Sequence, residues 1–570
     1  MAEYLSPGVY VEEYDNSPRS IEGVGTSTAG FIGFAEKGPV IGAPSLVTNI
    51  KSFTRQFGGF LSEYTHGEYR FLAHSVEQFF ANGGTRCYVT RVVPEDAKTA
   101  GMDVGILSLE AANPGKWGNR IQISFNTVTK RKMQLIAKSG DKTYVAKSVD
   151  GFREGDLVLF EGQYNRIATI YDETVNFEEE FDEDPVDTDV VPSKVLFLVN
   201  FDMIVRFNDD VESYGDLSLN RTASNFIGAR LAKSELIKLE VVKDPDISNP
   251  VSQLLAEDVE SGMISLEGGS DGSMSKVTAG TFIGVDDGPG KRTGIQSFLE
   301  NGIISMIAIP GVTIPEVVVA LVGHCENTKS RFAVLDMPED QYKTEDLIRY
   351  RSMVDSTYCA MYHPWIQVFD RSANKPGFIP PSGAVMGIYS RTDIARGVHK
   401  APANEVVFCT GLEVNYTKGE QDILNPEGIN LIRALPGQGI RVWGARTASS
   451  NSAFKYVNVR RLFIFVEESI RANTNWVVFE PNDATLWNRV QLTISSFLNS
   501  LWNQGMLAGG SPGEAYFVEI GTTTMTQDDI MNGRLIGNIG IAPSRPAEFV
   551  IFRVTQHTSE AGGEGGGAEA

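Results

Sequence analysis

The stretch IISMIAIPGVTIPEVVVALVGHCENTKSRFAVLDMP, residues 303–338, decides the fold class of this chain. It contains an apolar run ended by the turn pair Pro310-Gly311, then a helical pattern, then the second apolar run RFAVLDMP. A strand, a helix and another strand in this order are typical of a largely parallel sheet that carries helices on both faces. The stretch therefore predicts an α/β core.

The same alternation of strands and helices appears on the N-terminal side of this stretch. The predicted strands are FIGFAE (31–36), CYVTRVV (87–93) and GTFIGV (280–285), and the predicted helices are YRFLAHSVEQFFANGG (69–84) and TGIQSFLENG (293–302). Between about residues 125 and 262 the pattern changes to short β-like runs separated by turn residues. We therefore expect one α/β domain that is interrupted by an inserted β domain.

A further domain is expected after residue 424, because two long helical patterns follow there. The second pattern, residues 483–507, places Leu486, Val490, Ile494, Phe497 and Leu501 at a spacing close to 3.6. We predict an α+β C-terminal domain and a multidomain chain. Its predicted parts are an N-terminal arm and linker (1–25), the α/β core (26–105 and 266–423), the inserted outer domain (106–265), the C-terminal domain (424–545), a C-terminal strand arm (546–558) and a flexible tail (559–570).

The two ends of the sequence carry short strand patterns that stand apart from any domain. VYVEEY, residues 9–14, alternates between two faces and lies between a Pro-Gly turn signal and a polar breaker. AEFVIFRVTQ, residues 547–556, is a second strand pattern and precedes a Gly- and Glu-rich tail. A lone strand at a terminus must find a sheet elsewhere.

Composition places this chain among ordered globular proteins and excludes some partners. It has 570 residues, 42% of them hydrophobic and 21% charged, and a formal net charge of -22. Because that charge repels phosphates, we expect no nucleic-acid partner and favour a partner with a basic face. The sequence shows neither a membrane-spanning run nor a leader pattern, so we expect synthesis and assembly in the cytoplasm without direct membrane insertion.

Two motifs suggest enzymes, and both lack required residues. EGVGTSTAGFIG, residues 22–33, resembles a subtilisin serine segment, but Ser27 precedes His66 along the chain, the reverse of the order in that family. Gly290-Lys291 resembles the end of a Walker A loop, but Val285 and Arg292 stand where the motif needs Gly and Ser or Thr. We therefore expect no catalytic residue; a subtilisin-like hydrolase is the weaker alternative.

Metal and cofactor sites are not expected either. Cys87, Cys325, Cys359 and Cys409 are far apart and show no zinc-binding spacing. His324, His363 and His399 each lack a second ligand nearby in the sequence. We therefore predict buried thiols, packed or exposed histidines, and no cofactor.

Several blocks, taken together and in order, resemble the contractile tail sheath family of bacteriophages, phage-tail-like bacteriocins and contractile injection systems. The blocks are YLSPGVYVEE (4–13), GVGTSTAGFIGFAEKGP (23–39), GVDDGPGKRTGIQSFLENGIISMIAIPG (284–311), YCAMYHPWIQVFD (358–370), PPSGAVMGIYSRTDIARGVHKAPANE (380–405), NPEGINLIRALPGQGIRVWGARTASS (425–450), YVNVRRLFIFVEESI (456–470), WVVFEPND (476–483) and PAEFVIFRV (546–554). The segment between residues 122 and 262 shows no sheath pattern, in agreement with a variable insert.

The resemblance implies a core of subtilisin-like shape without protease activity. It also implies a virion or particle structural protein that forms hexameric rings stacked into a helical sleeve around an inner tube. Contraction of that sleeve drives the tube through a cell envelope, with baseplate and tail terminator proteins as further partners. No nucleotide is consumed.

The resemblance further assigns roles to particular residues. Extended terminal arms add strands to a sheet in neighbouring subunits; the arm residues are Val9, Tyr10, Val11, Glu12, Glu13 and Tyr14, and Phe549, Val550, Ile551, Phe552, Arg553 and Val554. Gly23 and Gly25 are expected to form the flexible joint between the first arm and the core. The inward-facing C-terminal domain is expected to meet the tube through Asn488, Arg489, Gln491, Ser495 and Asn499.

Overall fold

The first part of the α/β core contains three strands and three α-helices, which precede the insert. The computed structural model describes residues 21–186, 194–243 and 263–551. Residues 9–14 therefore lie outside the described part of the chain. The first elements are β1 (Ala29–Gly33), β2 (Ser45–Val47), α1 (Ile50–Phe57), α2 (Glu63–His66), α3 (Leu72–Ala81) and β3 (Cys87–Arg91).

The insert is built from antiparallel strands. Its elements are β4 (Gly101–Val104), β5 (Leu107–Ala111), β6 (Gln122–Val128), β7 (Lys132–Met133), β8 (Leu135–Lys138), β9 (Thr143–Ala146), β10 (Leu157–Phe160), β11 (Gln163–Tyr171), β12 (Thr174–Phe177), β13 (Leu196–Leu198), β14 (Asn200–Phe207), β15 (Asp210–Leu217), α4 (Ile227–Leu231), β16 (Ile237–Val241) and β17 (Met263–Ser265). They form sheets of seven, four and three strands. The β character agrees with the short β-like runs of the sequence.

The chain then returns to the core and continues into the C-terminal region. The remaining elements are α5 (Ala279–Ile283), β18 (Met306–Ala308), α6 (Pro315–Thr328), β19 (Phe332–Asp336), α7 (Thr344–Arg351), β20 (Cys359–His363), β21 (Ile366–Asp370), β22 (Lys375–Ile379), α8 (Ser382–Arg396), β23 (Glu405–Val406), β24 (Gly411–Leu412), α9 (Lys418–Leu424), β25 (Ile429–Leu435), β26 (Gly439–Val442), α10 (Val457–Asn473), α11 (Ala484–Asn503), α12 (Pro512–Ala515), β27 (Tyr516–Ile520), α13 (Gln527–Met531) and β28 (Gly537–Ile541).

Strands from before and after the insert share one nine-stranded sheet. Its order is β2-β3-β1-β18-β19-β20-β25-β26-β23, and the six strands from β3 to β25 run parallel. In this sheet β1 lies between β3 and β18, with Ala29 opposite both Cys87 and Met306. The core sheet is therefore completed only after the chain returns from the antiparallel strands β4 to β17.

Both faces of the sheet are covered, as expected for parallel strands. Phe31 packs on one face with α3 and α8, and Ile32 packs on the other with α6 and α7. Helices α3 and α8 approach each other very closely, since a Cβ at Gly383 would lie 2.3 Å from the Ser75 carbonyl oxygen. Glycine at position 383 therefore sets the distance between these two helices.

The sequence prediction is wrong at one short element and imprecise at two others. GTFIGV forms helix α5 instead of a strand, because the Thr278 N–H donates to Thr281 Oγ1 at the helix start and buried Phe282 faces α6. TGIQSFLENG forms a 3₁₀ helix over Gly294–Glu300 instead of an α-helix. The core sheet includes β25 and β26, so it extends beyond the boundary expected at residue 424.

Candidate assembly surfaces

The residues that suggested a serine protease and a phosphate loop make other contacts in this structure. His66 Nδ1 lies 2.8 Å from Thr65 Oγ1, and no contact joins it to Ser27 in the described part of the chain. At the Walker-like loop the Gly290 N–H donates to the Glu300 carboxylate at 2.6 Å. A carboxylate at that N–H group leaves no anion cradle there, because it occupies the position a phosphate oxygen would take.

The histidines and cysteines are held as structural groups. Arg331 donates to His324 Nε2 at 2.8 Å, and burial lowers the pKa of His324 to about 4 with help from the Arg331 charge. Burial also raises the pKa of the Cys325 thiol to about 12. Among the described residues no group of three His, Cys, Asp or Glu side chains is arranged to hold a metal ion.

The residues that follow the N-terminal arm are docked on α10. Ile21 is buried among side chains of α10 and α11, the Val24 N–H donates to Ser469 Oγ at 3.1 Å, and Asn473 donates to the Glu22 carbonyl at 3.0 Å. This segment is thus attached to the C-terminal region before it enters β1.

Gly23 and Gly25, expected from the sequence to form a flexible joint, differ in how closely they are packed in this structure. A Cβ at Gly23 would lie 2.7 Å from Phe465 Cζ, so glycine is needed there for close packing. A Cβ at Gly25 would meet only the end of the Arg86 side chain, at 3.3 Å. Neither glycine has the positive φ that would demand its conformational freedom.

A buried ion pair fixes the next residue of the same segment. Arg461 of α10 donates to both carboxylate oxygens of Asp393 in α8, at 2.9 and 2.6 Å, and both side chains are almost fully buried. Thr26 Oγ1 donates to Asp393 at 2.7 Å, and its carbonyl accepts from Arg461 at 3.0 Å. The Arg461 guanidinium also lies over the Tyr389 ring. These contacts join the entering segment, α8 and α10 into one unit.

A small sheet near the other end of the chain has open edges. Strands β27 and β28 pair antiparallel from Tyr516 opposite Ile541 to Ile520 opposite Gly537, and within the described residues neither pairs with a third strand. One face packs on α11 through Val518. The Val518 carbonyl accepts from Gln491 of α11. Strand edges without a neighbouring strand are templates for another strand. Sequence patterns did not single out this hairpin.

The described start of the C-terminal arm is exposed. Phe549 and Ile551 are 71% and 80% exposed, and Val550 between them is 68% exposed. Residues 549–551 belong to no strand of their own chain, whereas Phe552, Arg553 and Val554 lie outside the described residues. Three consecutive large apolar side chains are therefore presented to solvent or to a partner.

Helix α11 has the predicted apolar stripe, but its outer face differs from the expected one. Leu486, Val490, Ile494, Phe497 and Leu501 are all buried. Of the expected polar positions, Asn488 and Arg489 are exposed, whereas Ser495 and Asn499 are only half-buried. Gln491 donates to the Val518 carbonyl and therefore belongs to the contact with β27. Leu492, which the polar pattern passed over, is 66% exposed.

Arg489 is fixed at the edge of this outer face. Its guanidinium lies 4.3 Å from the Trp476 ring centroid, and its Nη2 lies 3.8 Å from Glu480 Oε2. The adjacent Phe479 is fully exposed and has a φ of 68°. A bulky residue in the left-handed region is a strained arrangement. The Trp476 to Glu480 loop and the exposed side of α11 thus form one continuous surface.

Two consecutive family models match the second half of the chain. The phage tail sheath protein central domain matches residues 292–448, and the phage tail sheath C-terminal domain matches residues 449–557. A putative prophage major tail sheath protein of Pseudomonas aeruginosa strain UCBPP-PA14 is 26% identical over 288 residues, which cover 48% of this chain and 72% of that protein. The tail sheath protein of Salmonella phage ViI is 27% identical over 36% of this chain and only 33% of its own length.

Solved structures agree over nearly the whole length. The sheath complex of an extracellular contractile injection system in its contracted state gives a TM-score of 0.53 at 22% identity, covering 98% of this chain and 99% of that one. A crystallised sheath tail protein from Listeria innocua gives 0.52 at 12% identity, over 92% and 96% of the two chains. At these identities the structures establish a shared mixed α/β multidomain fold.

The family models and the relatives support membership of the contractile tail sheath family for this chain. The matched relatives are tail sheath proteins, and the comparisons support a structural role for this chain instead of an enzymatic one. No helix in the described residues has the length and apolar character to cross a bilayer.

Proposed function

We propose that this chain polymerises as hexameric rings stacked into a helical sleeve around an inner tube, and that contraction of the sleeve drives the tube through a target cell envelope. In this proposal residues 9–14 and 549–554 of each subunit add strands to the β27–β28 hairpin of neighbouring subunits. Assembly takes place in the bacterial cytoplasm. A baseplate binds one end of the sleeve, and a tail terminator binds the other end.

One observation carries the proposal: among the described residues, the β27–β28 sheet has no third strand, and the exposed apolar segment 549–551 belongs to no strand. An isolated two-stranded sheet is marginal in water, and further strands stabilise it. Backbone hydrogen bonds between subunits would supply the strength, and alternate side chains would fix the register. The docked segment at Ile21 and the core remain rigid while the arms stay paired, so the sleeve shortens without dissociating.

Truncation tests the arms directly. Deletion of residues 1–17 is expected to leave a folded subunit that does not form full-length sleeves in the electron microscope. Deletion of residues 559–570, which removes the Gly- and Glu-rich tail, is the control and should leave sleeves intact. Full-length sleeves from the first truncation contradict the arm proposal.

The tube contact is proposed on the exposed side of α11, now with Asn488, Arg489 and Leu492 as its residues. Reversal of charge in Arg489→Glu is expected to weaken polymerisation on the tube, because a fixed exposed cation meets its partner directly. The control Arg349→Glu changes an exposed arginine of α7, a helix of the α/β core. Equal polymerisation of both variants and the wild type contradicts this contact.

A further inference from the structure

The carboxylate of Glu548, one residue before the exposed apolar segment, accepts hydrogen bonds from three other side chains, and Lys455 Nζ lies 3.8 Å from its Oε2. Arg446 donates through Nε to Oε1 at 2.7 Å and through Nη2 to Oε2 at 2.8 Å. Asn425 Nδ2 donates to Oε1 and the Tyr456 hydroxyl donates to Oε2, both at 2.8 Å. This bidentate pair with two additional donors saturates both carboxylate oxygens.

The groups that hold Glu548 are themselves fixed to the core sheet. The Arg446 N–H donates to Asn430 Oδ1 in β25 at 2.7 Å, and Arg446 Nη1 donates to the Asn425 carbonyl at 3.0 Å. The Arg446 side chain is buried and that of Glu548 is mostly buried. Burial alone would raise the pKa of Glu548, but the hydrogen bonds and the Arg446 charge lower it to about 2. The carboxylate is therefore an ionised, preformed anchor point.

The chain is held before Glu548 and released after it. The Ala542 N–H donates to the Ala515 carbonyl at 2.8 Å, and the Ser544 N–H donates to the Met506 carbonyl at 3.3 Å. After Glu548, residues 549–551 make no hydrogen bond to the described part of the chain. Among the described residues the last backbone hydrogen bond is that of Ser544, and the Glu548 side chain makes the last hydrogen bonds before the exposed segment.

We propose that Glu548 is the positioning residue of the C-terminal arm, because it binds the start of the arm to the core of its own subunit. This contact fixes which residue of the arm first pairs with the sheet of the neighbouring subunit. A slip of one residue in a strand turns every side chain to the opposite face, so a fixed starting point specifies register. Attachment of the start of the arm also raises the effective concentration of the arm at the sheet of the neighbouring subunit. This inference rests on the proposed strand exchange.

The anchor is tested on the isolated full-length subunit with chymotrypsin. The readout is cleavage after exposed Phe549, measured by mass spectrometry as release of the fragment that starts at Val550. Glu548→Gln keeps the size of the side chain and removes its charge. Because cleavage follows the population of the open segment, the rate is expected to rise about tenfold, the effect of losing one charge-assisted hydrogen bond. The control Asp422→Asn removes a carboxylate from the same cleft and should leave the rate unchanged.

The same variants are then polymerised and compared by electron microscopy. Glu548→Gln is expected to yield fewer and shorter sleeves than Asp422→Asn, which should match the wild type. Wild-type cleavage kinetics in Glu548→Gln overturn the anchor. Faster cleavage with unchanged sleeves overturns its positioning role. If the wild type itself forms no sleeves, the proposed function fails, whereas the cleavage experiment still decides whether Glu548 pins the arm.

Discussion

Substitution of Gly23 by alanine separates packing from flexibility at the entrance of the N-terminal segment. The new Cβ would lie 2.7 and 2.9 Å from two ring atoms of Phe465, about 0.7 and 0.5 Å inside the 3.4 Å at which ordinary contact begins. The ring cannot retreat freely, because Phe465 is buried and packs against Phe497. Overpacking of this kind costs about 1–3 kcal/mol.

The cost should appear as undocking of the segment from α10, and the Val24 amide reports it. That N–H is held by Ser469 Oγ, so its hydrogen exchange measures the docked population. A loss of about 1–3 kcal/mol predicts exchange roughly 5- to 150-fold faster in Gly23→Ala. Sleeve formation should fall in parallel.

Gly25→Ala is the matched control, because it loses the same flexibility without a clash in the core. Its Cβ meets only the end of Arg86, and alanine stabilises a compatible site by about 0.4–1 kcal/mol through the unfolded chain. Exchange at Val24 should therefore be unchanged or slower. Adding Phe465→Leu to Gly23→Ala should restore docking in part. If the two alanine variants impair assembly equally and leave exchange unchanged, both glycines act as a hinge and the packing argument is wrong.

Three further outcomes are expected. Gly383→Ala should destabilise the core by about 1–3 kcal/mol in urea denaturation, because its Cβ meets a carbonyl oxygen of α3. The control Gly419→Ala, at an exposed helix position, should stabilise the protein by about 0.5–1 kcal/mol. Equal effects of the two substitutions would contradict the close contact between α3 and α8. Arg461→Met should cost about 3–5 kcal/mol because it leaves the buried Asp393 carboxylate unpaired, and a loss below about 1 kcal/mol would contradict the role of this pair. The stabilising effect of Glu548 should be fully present above its ordinary pKa of 4.5 and should decline as the pH falls towards about 2. The difference in free energy of unfolding between the wild type and Glu548→Gln should therefore shrink over that pH interval. A constant difference would contradict an ionised Glu548 carboxylate.

Local sequence patterns predicted the elements that have a long hydrophobic pattern bounded by clear turn residues. Helix α6 and the neighbouring strands β18 and β19 follow from apolar runs separated by clear turn residues, and the buried stripe of α11 follows from its spacing. GTFIGV failed because six residues do not distinguish strand from helix, and a contact between Thr278 and Thr281 decides the outcome.

Contacts between distant segments were beyond the reach of sequence patterns. Glu548 and Arg446 are 102 residues apart, and nothing in either neighbourhood indicates the other. Gly23 had the sequence context of a linker, yet a ring 442 positions later explains it. The spacing of Gln491 matched the polar face of α11, but its side chain donates to the Val518 carbonyl in β27. In each case the deciding partner belongs to another element of the fold.

Helical reconstruction by electron cryomicroscopy of sleeves polymerised from this chain tests the central claim most directly. The account predicts hexameric layers in which the β27–β28 hairpin is extended by residues 9–14 and 549–554 from neighbouring subunits. A sleeve in which this hairpin remains two-stranded, with both arms folded on their own subunit, would contradict it.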